Sequence, residues 1–162
     1  MKPSQGALCD PTTVRDGARA RADVVIPLQN TTHAVNAKAA LEQVCSGIRV
    51  ASAPDYYSSQ FIDHVNGTEY RGHEGIRRSV ERYSKLLSNL RIEVKDQLID
   101  TARVTSRFRV TGRCYGRVVS FDGITISRFE GDLIAEDWTV TDILGMLKGL
   151  GVWRSLLVAL RS

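Results

Sequence analysis

Between residues 102 and 114 the chain alternates strictly. The even positions are Ala102, Val104, Ser106, Phe108, Val110, Gly112 and Cys114, and the odd positions are Arg103, Thr105, Arg107, Arg109, Thr111 and Arg113. A period of two with one polar side predicts a strand with one buried and one wet face. Residues 91–100, 117–121 and 124–129 are its predicted neighbours, and Gly131-Asp132 turns the chain into a last strand, Leu133–Thr141. Upstream the period is helical. Leu41, Val44, Cys45 and Ile48 mark the buried stripe of a helix over Ala34–Ile48. Ile76, Val80, Tyr83, Leu87 and Leu90 mark a second helix over His73–Leu90, with Arg77, Arg78, Glu81, Arg82 and Lys85 on its other face. Phe61–Val65 is a short extended run closed by the turn dipeptide Asn66-Gly67. A short helix, Ile143–Leu150, follows the last strand.

Helices followed by long antiparallel strands predict an α+β fold with segregated layers. The strongly curved, mostly antiparallel sheet is expected to form a cone-shaped barrel around a pocket, closed by the N-terminal helices. Residues 1–33 are polar and turn-rich, with Pro3, Gly6, Pro11 and Gly17, and are expected to form a poorly ordered arm. Within it, Asp23–Leu28 could form only an edge strand, because Pro27 lacks a donor. A single domain then spans residues 34–162. Its apolar tail from Val152 to Leu160 is expected to pack on the body or on a second subunit.

Composition narrows the chemistry. The 162 residues fit one domain, and 43% hydrophobic with 25% charged residues excludes wholesale disorder, collagen-like structure and a coiled-coil rod. The net charge of +4 is too mild to imply a nucleic-acid partner. Arg103, Arg107, Arg109 and Arg113 form a stripe, but no aromatic residues interleave with them to stack bases. A solvated face paired with Glu93 or Glu130 is the alternative, and no nucleic acid is expected. The three cysteines and three histidines lack metal-ligand spacing, so no metal is expected. Unpaired thiols suit a reducing cytosol, so a cytoplasmic location is expected. No run of eighteen apolar residues exists to cross a membrane. There is no G-x-S-x-G elbow, no P-loop and no G-x-G-x-x-G. Cofactor-free acid–base chemistry, or binding alone, remains.

Three residues are candidates for that chemistry. In the last strand Ile134, Trp138 and Val140 share the even side, which would put Asp142 on the pocket face beyond an apolar floor. Burial there would raise its carboxyl into the range where it both donates and accepts a proton. Asp142 also directly precedes the Ile143 helix, where a helix cap is the commoner role of an aspartate. Glu136 shares that side but lies six residues away, roughly 20 Å along a strand, too far to act with Asp142 on one bond. His64 shares parity with Ile62 and would face inward, either as a hydrogen-bonded core residue or as a proton carrier.

A resemblance adds to these alternatives. Phe61-Ile-Asp-His64, Tyr70–Arg77, Val110-Thr-Gly112, Ile126–Glu130 and Ile134–Leu144, followed by Leu147 and Leu150-Gly151, occur in one order over about 95 residues. Together they resemble the SnoaL-like polyketide cyclases, in the nuclear-transport-factor-2-like superfamily that also holds ketosteroid isomerase and limonene epoxide hydrolase. The resemblance implies a cofactor-free cyclase or isomerase that closes a ring by an intramolecular aldol step on a small hydrophobic carbonyl compound. It casts Asp142 as general acid/base and His64 as its assistant. Trp138, Phe108, Tyr57 and Phe61 are the expected substrate contacts. It also implies a homodimer formed through the outer sheet face. Two other outcomes stay open: an epoxide hydrolase using an Asp-Arg-Asp relay, and a non-catalytic binding or assembly module. The chain departs from the family in its short Cys114–Val119 loop, its Gly131-Asp132-Leu133 turn and its additional N-terminal arm.

Overall fold

The structure, a computed structural model, describes residues 28–150. Helix α1 (Leu28–Ala39) continues as a π-helical segment, Ala40–Cys45. A single 3₁₀ turn (Val50–Ser52) leads into the short α2 (Ala53–Tyr56), which carries Pro54 in its first turn, where a missing N–H does no harm. Then come β1 (Tyr57–Val65), β2 (Thr68–Arg71), α3 (Gly72–Leu86), β3 (Ser88–Asp100), β4 (Arg103–Cys114), β5 (Arg117–Glu130), β6 (Leu133–Thr141) and α4 (Ile143–Leu150). The strands form one curved sheet in the order β2-β1-β6-β5-β4-β3, open between its two edges. All pairs are antiparallel except β1 with β6, which run parallel. The α+β class and the helix-covered, coned sheet are those expected from the sequence.

Local chemistry accounts for the elements. Asn66 and Gly67 both have positive φ, at 47° and 82°, which makes the tight turn that pairs β1 with β2. Along β4 the even positions Val104, Ser106, Phe108, Val110, Gly112 and Cys114 are all buried and the arginines are exposed, as alternation requires. Arg107 pairs with Asp96, and Arg109 pairs with Asp122 at 2.7 Å, rather than with Glu93 or Glu130. Helix α3 ends at Leu86, four residues earlier than its apolar stripe suggests; Leu87 is already extended and Asn89 takes a positive φ of 54°. The remaining stripe residue, Leu90, lies in β3.

Two packed clusters form the core. One joins α1 and α3 to β1 through Ala37, Ala40, Val44, Tyr57, Phe61, Ile76 and Val80. The other joins Leu41 to β4, β5 and α4 through Phe108, Val110, Phe121, Met146 and Leu150. The Glu42 carboxylate accepts the Val94 N–H at 2.9 Å, beside the irregularity where β3 shifts register against β4. The compact part begins earlier than residue 34. Residues 28–33 are helical, and His33 is buried, its ring stacked 4.1 Å from Phe129 and its Nε2 2.9 Å from the Gly131 carbonyl. Residues 1–27 and 151–162, including most of the expected arm, nearly all of its edge strand and the whole apolar tail, lie outside the described residues.

Candidate active site

The site follows from a fault in the alternation of β6. Arg128 of β5 faces Glu136, but its neighbour Phe129 faces Ile134, so β6 carries one extra residue, Ala135. Ile134 and Ala135 are therefore consecutive buried residues. Beyond this bulge the parity is reversed. Asp137, Thr139 and Thr141 point into the cone, while Trp138 and Val140 point out. Strand β1 is also irregular, between Tyr57 and Ile62, and beyond that point Asp63 is the register partner of Asp137. Neighbouring strands lie about 4.8 Å apart, so two carboxyls stand side by side on the concave face.

They face a cavity of about 70 Å³. Its walls are mainly apolar, with Leu41, Phe61, Val80, Phe108 and Phe121 among them. Gly123 makes room for one wall, since a Cβ there would lie 2.5 Å from Cζ of Phe108. The polar lining is Cys45, Tyr57, Asp63, Ser79, Tyr83, Asp137, Thr139 and Thr141. Among the described residues no lysine, arginine or histidine lines it. Asp137 is only 5% exposed, and among the described residues no group hydrogen-bonds its Oδ1.

Burial without a cation decides the protonation of this pair. Burial drives the Asp137 carboxyl well above the usual carboxylate range, against a smaller opposing effect of the Ser127 hydrogen bond. Asp63 is raised by burial and further by the neighbouring charge of Asp137. Two like charges in an apolar pocket cannot both persist, so the pair holds a shared proton around neutrality. Around it, the Tyr57 hydroxyl and Cys45 Sγ lie 3.3 Å apart. Burial pushes the Cys45 thiol up to about 12 and Tyr57 well above its ordinary value. At the mouth, the Asn66 amide donates to Thr141 Oγ1 at 2.8 Å and to the Tyr83 hydroxyl at 3.3 Å, which fixes both side chains.

Tyr57, Phe61 and Phe108 line the cavity, where the sequence places them. Asp142, His64 and Trp138 do not. Asp142 is exposed and caps α4, its Oδ1 accepting the Gly145 N–H at 2.7 Å. His64 sits on the outer face, its Nε2 3.0 Å from the Glu136 carboxylate, which Arg128 also contacts at 3.1 Å. Trp138 stacks on His64 with ring centroids 5.8 Å apart. One cause covers the expectations in β6: an unbroken period of two does not allow for the bulge at Ala135. His64 shares its face with Ile62, as its parity predicts, but that face is the one opposite the cavity-lining Phe61, Asp63 and Val65. Sequence reasoning missed Asp63, Asp137, Cys45 and Tyr83. The visible signal was the apolar doublet Ile134-Ala135, which no uninterrupted half-buried strand needs.

The family model of the SnoaL-like polyketide cyclases matches residues 35–150. The chain belongs to this family. Solved relatives share its fold. A candidate polyketide cyclase from Bacillus cereus ATCC 10987 is 25% identical, with a TM-score of 0.64 over 76% of this chain and 80% of that one. Wild-type IdmH from Streptomyces antibioticus is 19% identical, with a TM-score of 0.65 over 74% of this chain and 99% of that one. A SnoaL-like candidate cyclase from Jannaschia sp. CCS1 is 14% identical, with a TM-score of 0.67 over 76% and 94%. No curated protein matches the chain. In this SnoaL-like chain the described residues contain no group of three or more His, Cys, Asp or Glu placed to hold a metal ion. Nor does the described cavity lining include the arginine that an Asp-Arg-Asp relay needs. No described helix is long and apolar enough to cross a membrane. Cyclase or isomerase chemistry is the activity the family suggests.

Proposed function

We propose that this SnoaL-like protein moves a proton on a small hydrophobic carbonyl compound, closing or isomerising it without a cofactor, and that Asp63 and Asp137 do the work. The carrying observation is their side-by-side placement on an apolar cavity with no cation in its described lining. A pair that shares one proton supplies a base and an acid at once. The ionised carboxylate takes the proton from the carbon next to a carbonyl. The protonated one donates a hydrogen bond to the carbonyl oxygen as negative charge develops there. The enolate attacks a second carbonyl of the same molecule, forming the carbon–carbon bond, and the new alkoxide takes a proton back. Holding both ends in one cavity supplies much of the rate through proximity.

Deuterium exchange in D₂O tests this without the natural substrate. With acetylacetone and longer linear poly-β-ketones as probes, the wild type should speed exchange of the protons next to the carbonyl. Asp137→Asn should lose about 10²-fold or more of that rate, the usual worth of a positioned acid or base. Equal rates in the two proteins would refute the assignment.

The outer face suggests the assembly. Exposed Ile124 and Ile126 of β5 are register partners of Val140 and Trp138 of β6, giving a four-residue apolar stripe. A second copy covering it would make the homodimer. Light scattering on wild type and Val140→Glu would show a dimer and a monomer. The free thiols Cys45 and Cys114 suit a cytoplasmic setting.

A further inference from the structure

We propose that the cavity is also a proton-coupled binding site for a small primary alkylammonium ion, held between Asp63 and Asp137. The described acids outside the cavity that form ion pairs have found cations: Asp96 pairs with Arg107, Asp122 with Arg109, Glu136 with Arg128, Glu74 with Arg77 and Glu69 with Arg71. The two acids that face the cavity have no described cation against them. Asp137 Oδ1 in particular is buried and has no hydrogen-bond donor among the described residues. An ammonium N–H is the donor that completes it, and its charge is the one the pair lacks.

Size and walls restrict the class. One buried water needs about 10–15 Å³ of such space, so the inner 70 Å³ beside the carboxyls holds roughly five non-hydrogen atoms at once, and any longer ligand extends beyond it. That fits an ammonium carrying a three- or four-carbon chain. The rings of Tyr57 and Phe61, 4.5 Å apart and tilted by 55°, offer aromatic surface to a cation beside the carboxyls. The aliphatic walls take the alkyl chain.

The binding is coupled to proton release by charge balance. The empty pair carries one proton and one negative charge. Entry of the cation lets both carboxyls ionise, and the proton leaves to solvent: (Asp63, Asp137)H⁻ plus RNH₃⁺ gives (Asp63, Asp137)²⁻·RNH₃⁺ plus H⁺. The titratable groups that face the pair are Cys45 from the π-helical segment, Tyr57 from β1 and Tyr83 from α3. Strands β3, β4 and β5 line the cavity with Leu90, Ile92, Phe108, Val110 and Phe121, and β5 adds the Ser127 hydroxyl, which does not titrate, against Asp137. Burial raises Cys45, Tyr57 and Tyr83, so all three stay neutral from pH 6 to 8 and the released proton comes from the pair.

Calorimetry with isopropylammonium chloride tests this. Run at pH 7 in two buffers of different ionisation heat, it should report about one proton released per ion bound. The Kd should fall as pH rises through neutrality, about tenfold per pH unit where the empty pair holds one proton. Isopropanol, equal in size and uncharged, should bind at least tenfold more weakly and release none. No binding at millimolar concentration, equal binding of isopropanol, or a proton count of zero would overturn the proposal. Asp137→Asn should abolish the proton release, and the wild-type proton count stands even if that variant folds poorly. Because the same pair serves the proposed catalysis, the two outcomes must be separable. Ammonium binding without deuterium exchange on the diketones refutes only the catalytic role, and exchange without ammonium binding refutes only this one.

Discussion

Replacing Asp137 by asparagine should stabilise the fold at pH 8 and do much less at pH 5. Burial raises this carboxyl from its ordinary 3.8 to about 7, so the folded chain binds the proton more tightly than the unfolded chain. The stability this contributes is fully present below pH 3.8 and is lost as pH rises toward about 7, because the unfolded chain releases its proton first. The whole interval is about three pH units, or about 4 kcal/mol, and some 3 kcal/mol of it falls between pH 5 and pH 8. The amide of the Asp137→Asn variant would have no proton to lose and would escape that decline. It would also relieve Asp63 of a like charge and forgo the Ser127 hydrogen bond, worth about 1 kcal/mol at either pH. Urea unfolding at pH 5, 6.5 and 8 reads the difference. With a slope of about 1–3 kcal/mol per molar urea, the midpoint of the variant should gain about 1 M or more on the wild type by pH 8. Groups outside the pair are common to both proteins and cancel in the comparison. Glu136, held low by its hydrogen bond from His64, and Asp122, held low by Arg109, act only in acid. A stability difference that is flat with pH, or a variant weakened at pH 8, would mean that the carboxylate is ionised and compensated, and the shared-proton pair would be refuted.

The other side chains give sharper contrasts. Asp142→Ala removes the α4 cap and should cost about 1 kcal/mol, seen as a lower melting temperature, with deuterium exchange unchanged. His64→Gln should change stability by less than about 1 kcal/mol and leave exchange unchanged, since the pair it forms with Glu136 lies on the outer face. Phe108→Ala should cost about 3–5 kcal/mol in urea unfolding, and Gly123→Ala, which drives the Phe108 ring, should slow exchange on the bulkier ketones first. Cys45, half-buried with its thiol raised to about 12, should resist a thiol-labelling reagent in the native protein at pH 8 and react on unfolding, as peptide mass spectrometry would show.

The difference between what the sequence disclosed and what it hid comes down to where a count begins. Strand β4 is unbroken from Arg103 to Cys114, so its period of two assigned every side chain to the correct face. Strand β6 has the same period on each side of Ala135, and a single inserted residue turned each later side chain over. Hydrophobicity could not correct the slip, because at this site the usual rule is inverted. The inward positions Asp63, Asp137, Thr139 and Thr141 are polar, since they serve a cavity. The outward positions Ile124, Ile126, Trp138 and Val140 are apolar and exposed. Any reading that sends the apolar side inward must choose the wrong face for β6 and deliver Asp142, the cap, in place of Asp137. The inversion is nevertheless informative once the doublet Ile134-Ala135 is taken as a bulge. A strand that leaves a bulge with acids and threonines on one side and tryptophan and valine on the other has two faces with separate uses. A solvated outer face has no need of Trp138 and Val140, and a packed interior has no place for two carboxyls without cations. Both anomalies resolve together if the concave face is a reaction chamber and the convex face meets a second copy.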